Sequence, residues 1–373
     1  MSRIHITLVG GQPMPIYNGI RHAKPDKVVF IYSSQSRLIV KRVKEFIDCE
    51  VVEQAPLDAM DPVAIHKKAE ELYEQFKNDD ISLNISGGLK SWSHIFGVYF
   101  SGKPNASVFY IDQNNMVMDF DAMQSYQLDC KPLTIVEHLK LYGNTLSTFT
   151  KFSDYTEEDI EAIDIIKEAR DFHPRGFNEL TVNISGEDKN EILRKDGQVS
   201  KFPGTVFWKY DMDRGNTVLD IVLNRTNGIQ KSFGFECPHA RHLVFNSGWF
   251  EIYVAEKLSR WIRSGEVLTN CVFKYEKGQA KNEVDVIINL GNKLLFVECK
   301  TQIFNNTDLD KFISVVKTMS GTASKAIFIT ESKMKPETVA KCRENGIIHF
   351  SFAESDENGL FELLDKEYGK LNK

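Results

Sequence analysis

The chain lacks the features that would commit it to a membrane, to an oxidising compartment or to a strong nucleic-acid field. None of its apolar runs approaches the roughly 20 residues that cross a bilayer. Met1 to Val9 carry no basic segment followed by an apolar one, so no secretory leader is expected. The six cysteines (Cys49, Cys130, Cys237, Cys271, Cys299, Cys342) are scattered through 373 residues without a C-x-x-C pair. That usage predicts reduced thiols and a cytoplasmic location. The net charge of −6 supplies no global positive field, so nucleic-acid contact has to come from a local patch and to be transient and salt-sensitive. Two nucleotide signatures are missing as well. Gly10-Gly11-Gln12-Pro13 stands after the first strand instead of G-x-G-x-x-G, and Ser33 and Ser34 replace a ribose-binding acid, which disfavours a nicotinamide-dependent oxidoreductase. The pattern G-x-x-x-x-G-K-[ST] does not occur, which disfavours a P-loop ATPase. There is no internal repeat or low-complexity tract.

What is present begins with strands alternating with helices. Arg3 to Val9, Lys27 to Tyr32, Val51-Val52, Ile81 to Ile85 and Ala106 to Ile111 read as strands. Between them lie helical stripes such as Leu38, Ile39, Val43, Phe46 and Ile47. Asp61-Pro62 supplies a cap followed by proline in the first helical turn. The alternation predicts a mainly parallel sheet with right-handed crossovers. Ligands of such sheets lie outside the carboxyl ends of the strands. Three strands end there in small or glycine-rich loops. The bare N–H groups of Gly10, Gly11, Gly87 and Gly88 suit an anion, and Lys90 adds positive charge. Asn114-Asn115 predicts a turn, and Leu133 to Tyr142 a helix joining domains.

The chemistry concentrates at Glu283 to Lys300. Two apolar runs flank Gly291-Asn292-Lys293, a turn signature, and predict a β-hairpin. Acids appear where buried strands should carry none. Glu298 and Lys300 are two apart and share a face, and the hairpin brings Asp285 beside them. Two carboxylates aimed at one place repel unless a cation neutralises them. An oxygen-only set, with the Cys299 carbonyl as a further donor, suits Mg²⁺ or Mn²⁺ rather than zinc. The set supports metal-assisted hydrolysis of a phosphodiester, with Asp285, Glu298 and Lys300 as the catalytic group.

The middle of the chain is less explicit. A helix is expected from Ser153 to Ala169, capped by Ser153 or Thr156. Short strands or irregular segments are expected at Leu180 to Asn183, Thr205 to Tyr210, Val218 to Leu223 and Lys231 to Phe235. Lys201, Lys209, Arg214, Arg225 and Lys231 interleave with Phe202, Phe207, Trp208 and Phe233. That mixture suits stacked single strands, but the favoured reading is a β-rich connector with a solvated face. Cys237-Pro238-His239-Ala240-Arg241-His242 has zinc-like residue types but no evident fourth ligand. Glu236 is a minor ligand candidate. The last third offers a helix from Trp249 to about Arg263, a strand from Val267 to Tyr275, then the hairpin, helix 308–319, strand 326–330, helix 336–344 and strand 347–350.

The pattern Asp285, then Glu298-Cys299-Lys300, resembles the PD-(D/E)xK nuclease superfamily, with Val284 where proline usually stands. The loop Ser86-Gly87-Gly88-Leu89-Lys90 after the fourth strand resembles that of a CARF domain, the sensor of cyclic oligoadenylates in type III CRISPR defence. The combination is similar to the CRISPR ancillary nucleases activated by cyclic tetra-adenylate. The resemblance implies an α/β chain with a CARF domain at 1–145, a connector at 146–235 and a nuclease domain of mixed sheet at 236–373. It implies a homodimer sharing one ring-shaped ligand, with Gly10, Gly11, Gln12, Met14, Ser33, Ser34, Ser86, Gly87, Gly88 and Lys90 lining the pocket. It also implies that Glu251, on the first helix of the nuclease core, joins Asp285, Glu298 and Cys299 around the metal. Lys274, Lys277 and Lys281 would meet backbone phosphates, and Thr301 and Gln302 would help place substrate or water. The rival expectation is a ligand-responsive regulator that binds nucleic acid without cutting it.

Overall fold

The structure is a computed structural model that describes residues 1–57, 60–182, 192, 194–274, 283–302, 307–319 and 324–369. Its N-terminal elements run β1 (Arg3–Leu8), α1 (Pro13–Ala23), β2 (Lys27–Ile31), α2 (Arg37–Lys44), β3 (Glu50–Val52), α3 (Pro62–Phe76), β4 (Asp80–Asn84), α4 (Lys90–Phe100), β5 (Ala106–Ile111), β6 (Met116–Asp119) and β7 (Gln124–Gln127). They build one sheet in the order β3-β2-β1-β4-β5-β6-β7. It is parallel as far as β5 and antiparallel beyond. Both faces are covered, as continuous apolar strands require. Ile4, Ile6, Ile31 and Leu83 pack under α3 and α4 with Ile65, Leu72, Trp92 and Phe96. Val28 and Phe30 point the other way, toward Ile16 and Ile20 of α1 and Val40 and Val43 of α2. Helix α3 starts as expected, with the Asp61 carboxylate accepting from the Val63 N–H at 3.1 Å and Pro62 beside it.

Strand order reverses between β1 and β4, so the loops that follow them diverge and leave a crevice. The turn after β5 has the expected asparagines. Asp112 Oδ1 accepts from the Asn114 and Met116 N–H groups at 2.7 and 2.8 Å, and Asn115 has a φ of 60°.

The chain continues through α5 (Ile135–Leu141), β8 (Leu146–Lys151), α6 (Glu157–Phe172), α7 (Pro174–Thr181), β9 (Gly197–Lys201), β10 (Gly204–Asp211), β11 (Asn216–Asn224) and β12 (Gln230–Cys237). It ends with α8 (Ala240–Phe245), α9 (Gly248–Ser259), β13 (Val267–Phe273), β14 (Glu283–Asn289), β15 (Leu294–Lys300), α10 (Thr307–Met319), β16 (Lys325–Thr330), α11 (Pro336–Glu344), β17 (Ile348–Ser351) and α12 (Glu357–Gly369). A mixed six-stranded sheet has the order β17-β16-β15-β14-β13-β8, and β9 to β12 form an antiparallel sheet of four.

Several findings depart from the sequence reading. β8, from the stretch read as connector, pairs antiparallel with β13 and closes one edge of the C-terminal sheet. The four-stranded sheet shares one core with that domain: Val206, Trp208 and Ile221 join Leu243, Trp249, Ile252, Val286 and Val297. Leu180 is not in a strand but in α7, which Pro174 starts and His173 caps by accepting from the Gly176 N–H at 3.0 Å. Of the two caps considered for α6, Thr156 is the one used, in a reciprocal capping box with Asp159. Ser153 lies in the short 3-10 turn before it. Among the described residues no helix is long and apolar enough to cross a membrane.

Candidate active site and ligand crevice

β14 and β15 pair antiparallel, with Val286 opposite Val297 and Asn289 opposite Leu294. One step further along that register sets Asp285 against Glu298, a distance at which cross-strand side chains meet. Gly291, at φ 92°, makes the turn, and Asn289 Oδ1 accepts from its N–H at 2.9 Å. Asp285 and Glu298 are only 7% and 8% exposed. Asp285 Oδ2 accepts from the Cys299 N–H at 2.7 Å, and Lys300 Nζ lies 3.4 Å from it. The same ammonium is 2.8 Å from Glu298 Oε1. The three residues singled out for catalysis therefore converge.

Their electrostatics are strained. Burial, then the Asp285 charge, pushes the Glu298 carboxyl up to about 8 despite Lys300. Burial likewise raises Asp285. The two carboxylates outweigh burial at Lys300 and hold its ammonium above the usual lysine range. Glu251, in the first turn of α9, belongs to the same field: burial raises its carboxyl well above normal, and Asp285, Glu283 and Glu298 add to the rise while Lys300 opposes it. Trp249, Ile252 and Ala255, all buried, fix the helix that carries it. Two buried carboxyls thus flank one lysine, and Glu251 adds to their field. A buried carboxylate without a full counter-charge is costly, which is why burial raises these carboxyls, and an oxygen-donor set of this kind fits a hard divalent cation. Among the described residues no three His, Cys, Asp or Glu side chains stand preassembled as a metal cage; at the hairpin, Lys300 stands between the acids. Cys299 turns its thiol into the apolar core, where burial raises it, leaving its backbone toward the acids.

Glu283 was not singled out, yet it raises both Asp285 and Glu251. Its signal was present: it stands two residues before Asp285 and so shares its strand face. Asp308, at the start of α10, similarly raises Glu298. Thr301 and Gln302 directly follow Lys300, and the Thr301 carbonyl accepts from the Ser332 N–H at 3.2 Å. Lys274 follows β13, whereas Lys277 and Lys281 lie outside the described residues.

The Cys237–His242 run is not a metal centre among the described residues. His239 Nδ1 is 2.8 Å from Asp159 Oδ2, and its backbone N–H donates to Asp159 Oδ1 at 3.0 Å. Burial raises Asp159, but hydrogen bonds from His239 and Thr156 outweigh it and hold the carboxyl at about 2. Cys237 is buried in the core. The basic–aromatic mixture of the middle sheet also resolves into structure. Trp208 and Phe233 are buried. Lys201 pairs with Glu179 at 2.7 Å, Arg214 with Glu236 at 3.5 Å and Lys231 with Glu168.

At the crevice between β1 and β4 the two glycine loops lie against each other. A Cβ on Gly10 would stand 2.9 Å from the Gly88 nitrogen, and one on Gly87 2.2 Å from the Leu8 carbonyl oxygen. Glycine there is a packing requirement; Gly11, by contrast, has open space around it. Beside these loops is a cavity of about 180 Å³ lined by Gln12, Met14, Ser86, Tyr110, Asp112, Gln113, Asn115, Tyr142 and Asn292. A larger one, about 680 Å³, lies next to it between the domains, with Asp112, Asn114, Arg263 and Lys293 in its walls. Ser86 Oγ donates to Asn84 Oδ1 at 2.5 Å and accepts from the Ile111 N–H at 2.6 Å. Ser33 and Ser34 follow β2, where Ser36 Oγ accepts from the Ser33 N–H at 3.0 Å. Lys90 is exposed in the first turn of α4. Ser33 and Ser34 after β2, Lys90 at the start of α4, and Gly10, Gly11, Gly87 and Gly88 all sit at the carboxyl end of the sheet but outside the wall of the smaller cavity.

A parallel sheet with a glycine-lined switch point, joined to a mixed sheet whose hairpin gathers acids and a lysine, defines a nucleotide-sensing domain coupled to a nuclease fold. Residues 4–138 match the family described as the Card1 CARF domain, and residues 237–361 match the Card1-like endonuclease domain. The chain therefore belongs to the CARF–nuclease class of CRISPR ancillary proteins. Among solved structures, it is similar to Can2 from Sulfobacillus thermosulfidooxidans in complex with cyclic tetra-adenylate, with 21% identity, 98% of each chain covered and a TM-score of 0.69. The protein VC1899 from Vibrio cholerae has 17% identity, with 97% of this chain and 96% of that one covered, and a TM-score of 0.69. A type III CRISPR defence DNA nuclease activated by cyclic oligoadenylate has 12% identity, with 94% of this chain and 48% of that one covered, and a TM-score of 0.56. No curated protein matches the chain.

Proposed function

We propose that the chain is a divalent-metal-dependent endonuclease of type III CRISPR defence, switched on by a cyclic oligoadenylate, with single-stranded DNA or RNA as its favoured substrate. The observation that carries the reading is the convergence of the buried Asp285 and Glu298 on the ammonium of Lys300, at 3.4 and 2.8 Å, with Glu251 in the same electrostatic field. Asp285, Glu298, Glu251 and the Cys299 carbonyl would hold Mn²⁺ or Mg²⁺. Such an ion supplies Lewis acidity and an activated water. Lys300, beside both acids, presents positive charge to the phosphate in a site that excludes water, where such charge is most effective. The Cys299 N–H fixes the Asp285 carboxylate so that it needs little reorganisation.

The activator is a cyclic tetra-adenylate, by likeness to the ligand in the Can2 complex. At 180 Å³ the crevice cavity falls below the roughly 300–1,000 Å³ of sites that enclose a drug-sized ligand. It suits part of a ring, with the remainder held by a second copy of the chain facing it across a two-fold axis. Gly10, Gly11, Gln12, Met14, Ser33, Ser34, Ser86, Gly87, Gly88 and Lys90 then contribute to a surface completed in the dimer.

The test is a panel of single- and double-stranded DNA and RNA, each with and without the ring, in Mn²⁺, Mg²⁺ and EDTA. The expected result is ring-stimulated cutting that EDTA abolishes. Metal-independent cutting, or none under any condition, would contradict the reading; binding without cutting would favour a non-catalytic regulator.

A further inference from the structure

The turn of the catalytic hairpin reaches the sensor crevice. Asn292, between β14 and β15, lines the 180 Å³ cavity together with Gln12, Met14 and Ser86. Its carboxamide donates to the Gln113 carbonyl and, at 3.2 Å, to Asn115 Oδ1, which also accepts from Asn18 Nδ2 at 2.9 Å. The next residue, Lys293, is buried and donates to Asn114 Oδ1 at 2.8 Å. On the other limb of the turn, Asn289 Nδ2 donates to the Leu133 carbonyl at 2.6 Å. The hairpin is therefore tied to the N-terminal domain at its tip, while its far end carries Asp285, Glu298 and Lys300. Glu298 lies six residues beyond Asn292 along the extended chain, about 20 Å.

We propose that Asn292 is a ligand-contacting residue of the activator site, contributed by the nuclease domain, and that hairpin β14–β15 is itself the element that carries occupancy of that site to the catalytic acids. The inference rests on the activator reading above. The cavity wall has the chemistry for a base. The carboxamides of Gln12, Gln113, Asn115 and Asn292 each offer a donor and an acceptor, which complement the neighbouring N6 donor and N7 acceptor of adenine. Tyr110 and Tyr142 add aromatic rings that suit an unstacked base. The Asn292 donors are already engaged by Gln113 and Asn115. A base that pairs with both the donor and the acceptor of that carboxamide has to displace at least one of those bonds, and so changes the tether at the hairpin tip. Because the strands are locked in register by the ladder, a displacement at the tip reaches the acids without a separate relay. A ligand can bias the two arrangements only through a contact that differs between them, and Asn292 offers such a contact.

The experiment measures cyclic tetra-adenylate affinity by calorimetry, ring-stimulated cleavage at saturating ring, and hydrogen exchange of the backbone with and without ring. Asn292→Ala removes the carboxamide, and Asn292→Asp keeps its shape but replaces the donor with a charge; thermal melting checks that both fold. The expected result is at least a fivefold loss of ring affinity in both variants. In the wild type, ring binding should alter exchange at residues 290–294. A wild type that binds and responds to the ring, with both variants within twofold of it in affinity and stimulation and no exchange change at 290–294, would overturn this inference and leave the activator reading intact. A wild type that does not bind the ring would remove both.

Discussion

The crevice and the hairpin are built on opposite principles. The crevice is made mainly of backbone and amides: two glycine loops in mutual contact, with Gln12, Gln113, Asn115 and Asn292 around a small cavity, and the Asp112 carboxylate in its wall accepting from the Asn114 and Met116 N–H groups. The hairpin site is made of charge that burial has made uncomfortable, with Asp285 and Glu298 less than a tenth exposed beside Lys300. The first can be filled or left empty at little electrostatic cost, as a reversible sensor requires. The second gathers carboxyls whose ionisation burial penalises, an arrangement that a cation beside them would relieve. Substitutions should therefore act on different observables in the two regions.

The largest effect is expected at the hairpin. Asp285→Ala or Lys300→Ala should lower the activated cleavage rate on the order of 10²–10³-fold, as loss of a single preorganised electrostatic group does, while calorimetry shows ring affinity within about twofold of wild type. Equal cutting in either variant would erase the contrast between the regions. At the crevice, Gly87→Ala forces a Cβ to within 2.2 Å of the Leu8 oxygen, and overpacking of this kind costs about 1–3 kcal/mol. Gly11→Ala meets open space. Chemical denaturation should show the first destabilised and the second within about 0.5 kcal/mol of wild type. Equal losses would mean that the loops do not pack as described.

A purely structural charge should behave differently from those proposed for catalysis. Asp159 is held at about 2 instead of the ordinary 3.8, a difference worth about 2 kcal/mol. Because the folded-state value is the lower one, that stabilisation is fully present above the unfolded value. It is lost as the pH falls through about 3.8 toward 2. Asp159→Asn should lower stability near neutrality by about that amount and flatten the acid limb of the stability profile in this window. The smallest effect is expected on the middle sheet. Lys201→Ala, which breaks an exposed pair with Glu179, should change stability by less than about 1 kcal/mol. Substrate KM should change less than about twofold, and a tenfold rise would place nucleic acid on that face.

How much could be read in advance follows the same division. Asp285, Glu298 and Lys300 announced themselves because acids broke apolar strands at a spacing that a hairpin closes, and Glu251 followed by likeness. The alternating N-terminal strands and their glycine ends also carried local signatures. What was not legible depended on partners distant in the chain. Nothing in Leu146 to Lys151 says that it will pair with β13, more than a hundred residues later, and nothing in Trp208 says that it will share a core with Trp249. Leu180 was read as a short strand or irregular segment because its apolar neighbourhood is short; Pro174 and the His173 cap decided otherwise. Asn292 looked like an ordinary turn residue because its significance lies in which cavity the turn enters.

The most direct test of the central claim is the anomalous scattering of Mn²⁺ in crystals of the intact protein. An ion within coordination distance of both Asp285 and Glu298, with Lys300 displaced from at least one of them, is the predicted result. Density confined to other acids, with Lys300 still bridging Asp285 and Glu298, would contradict the account.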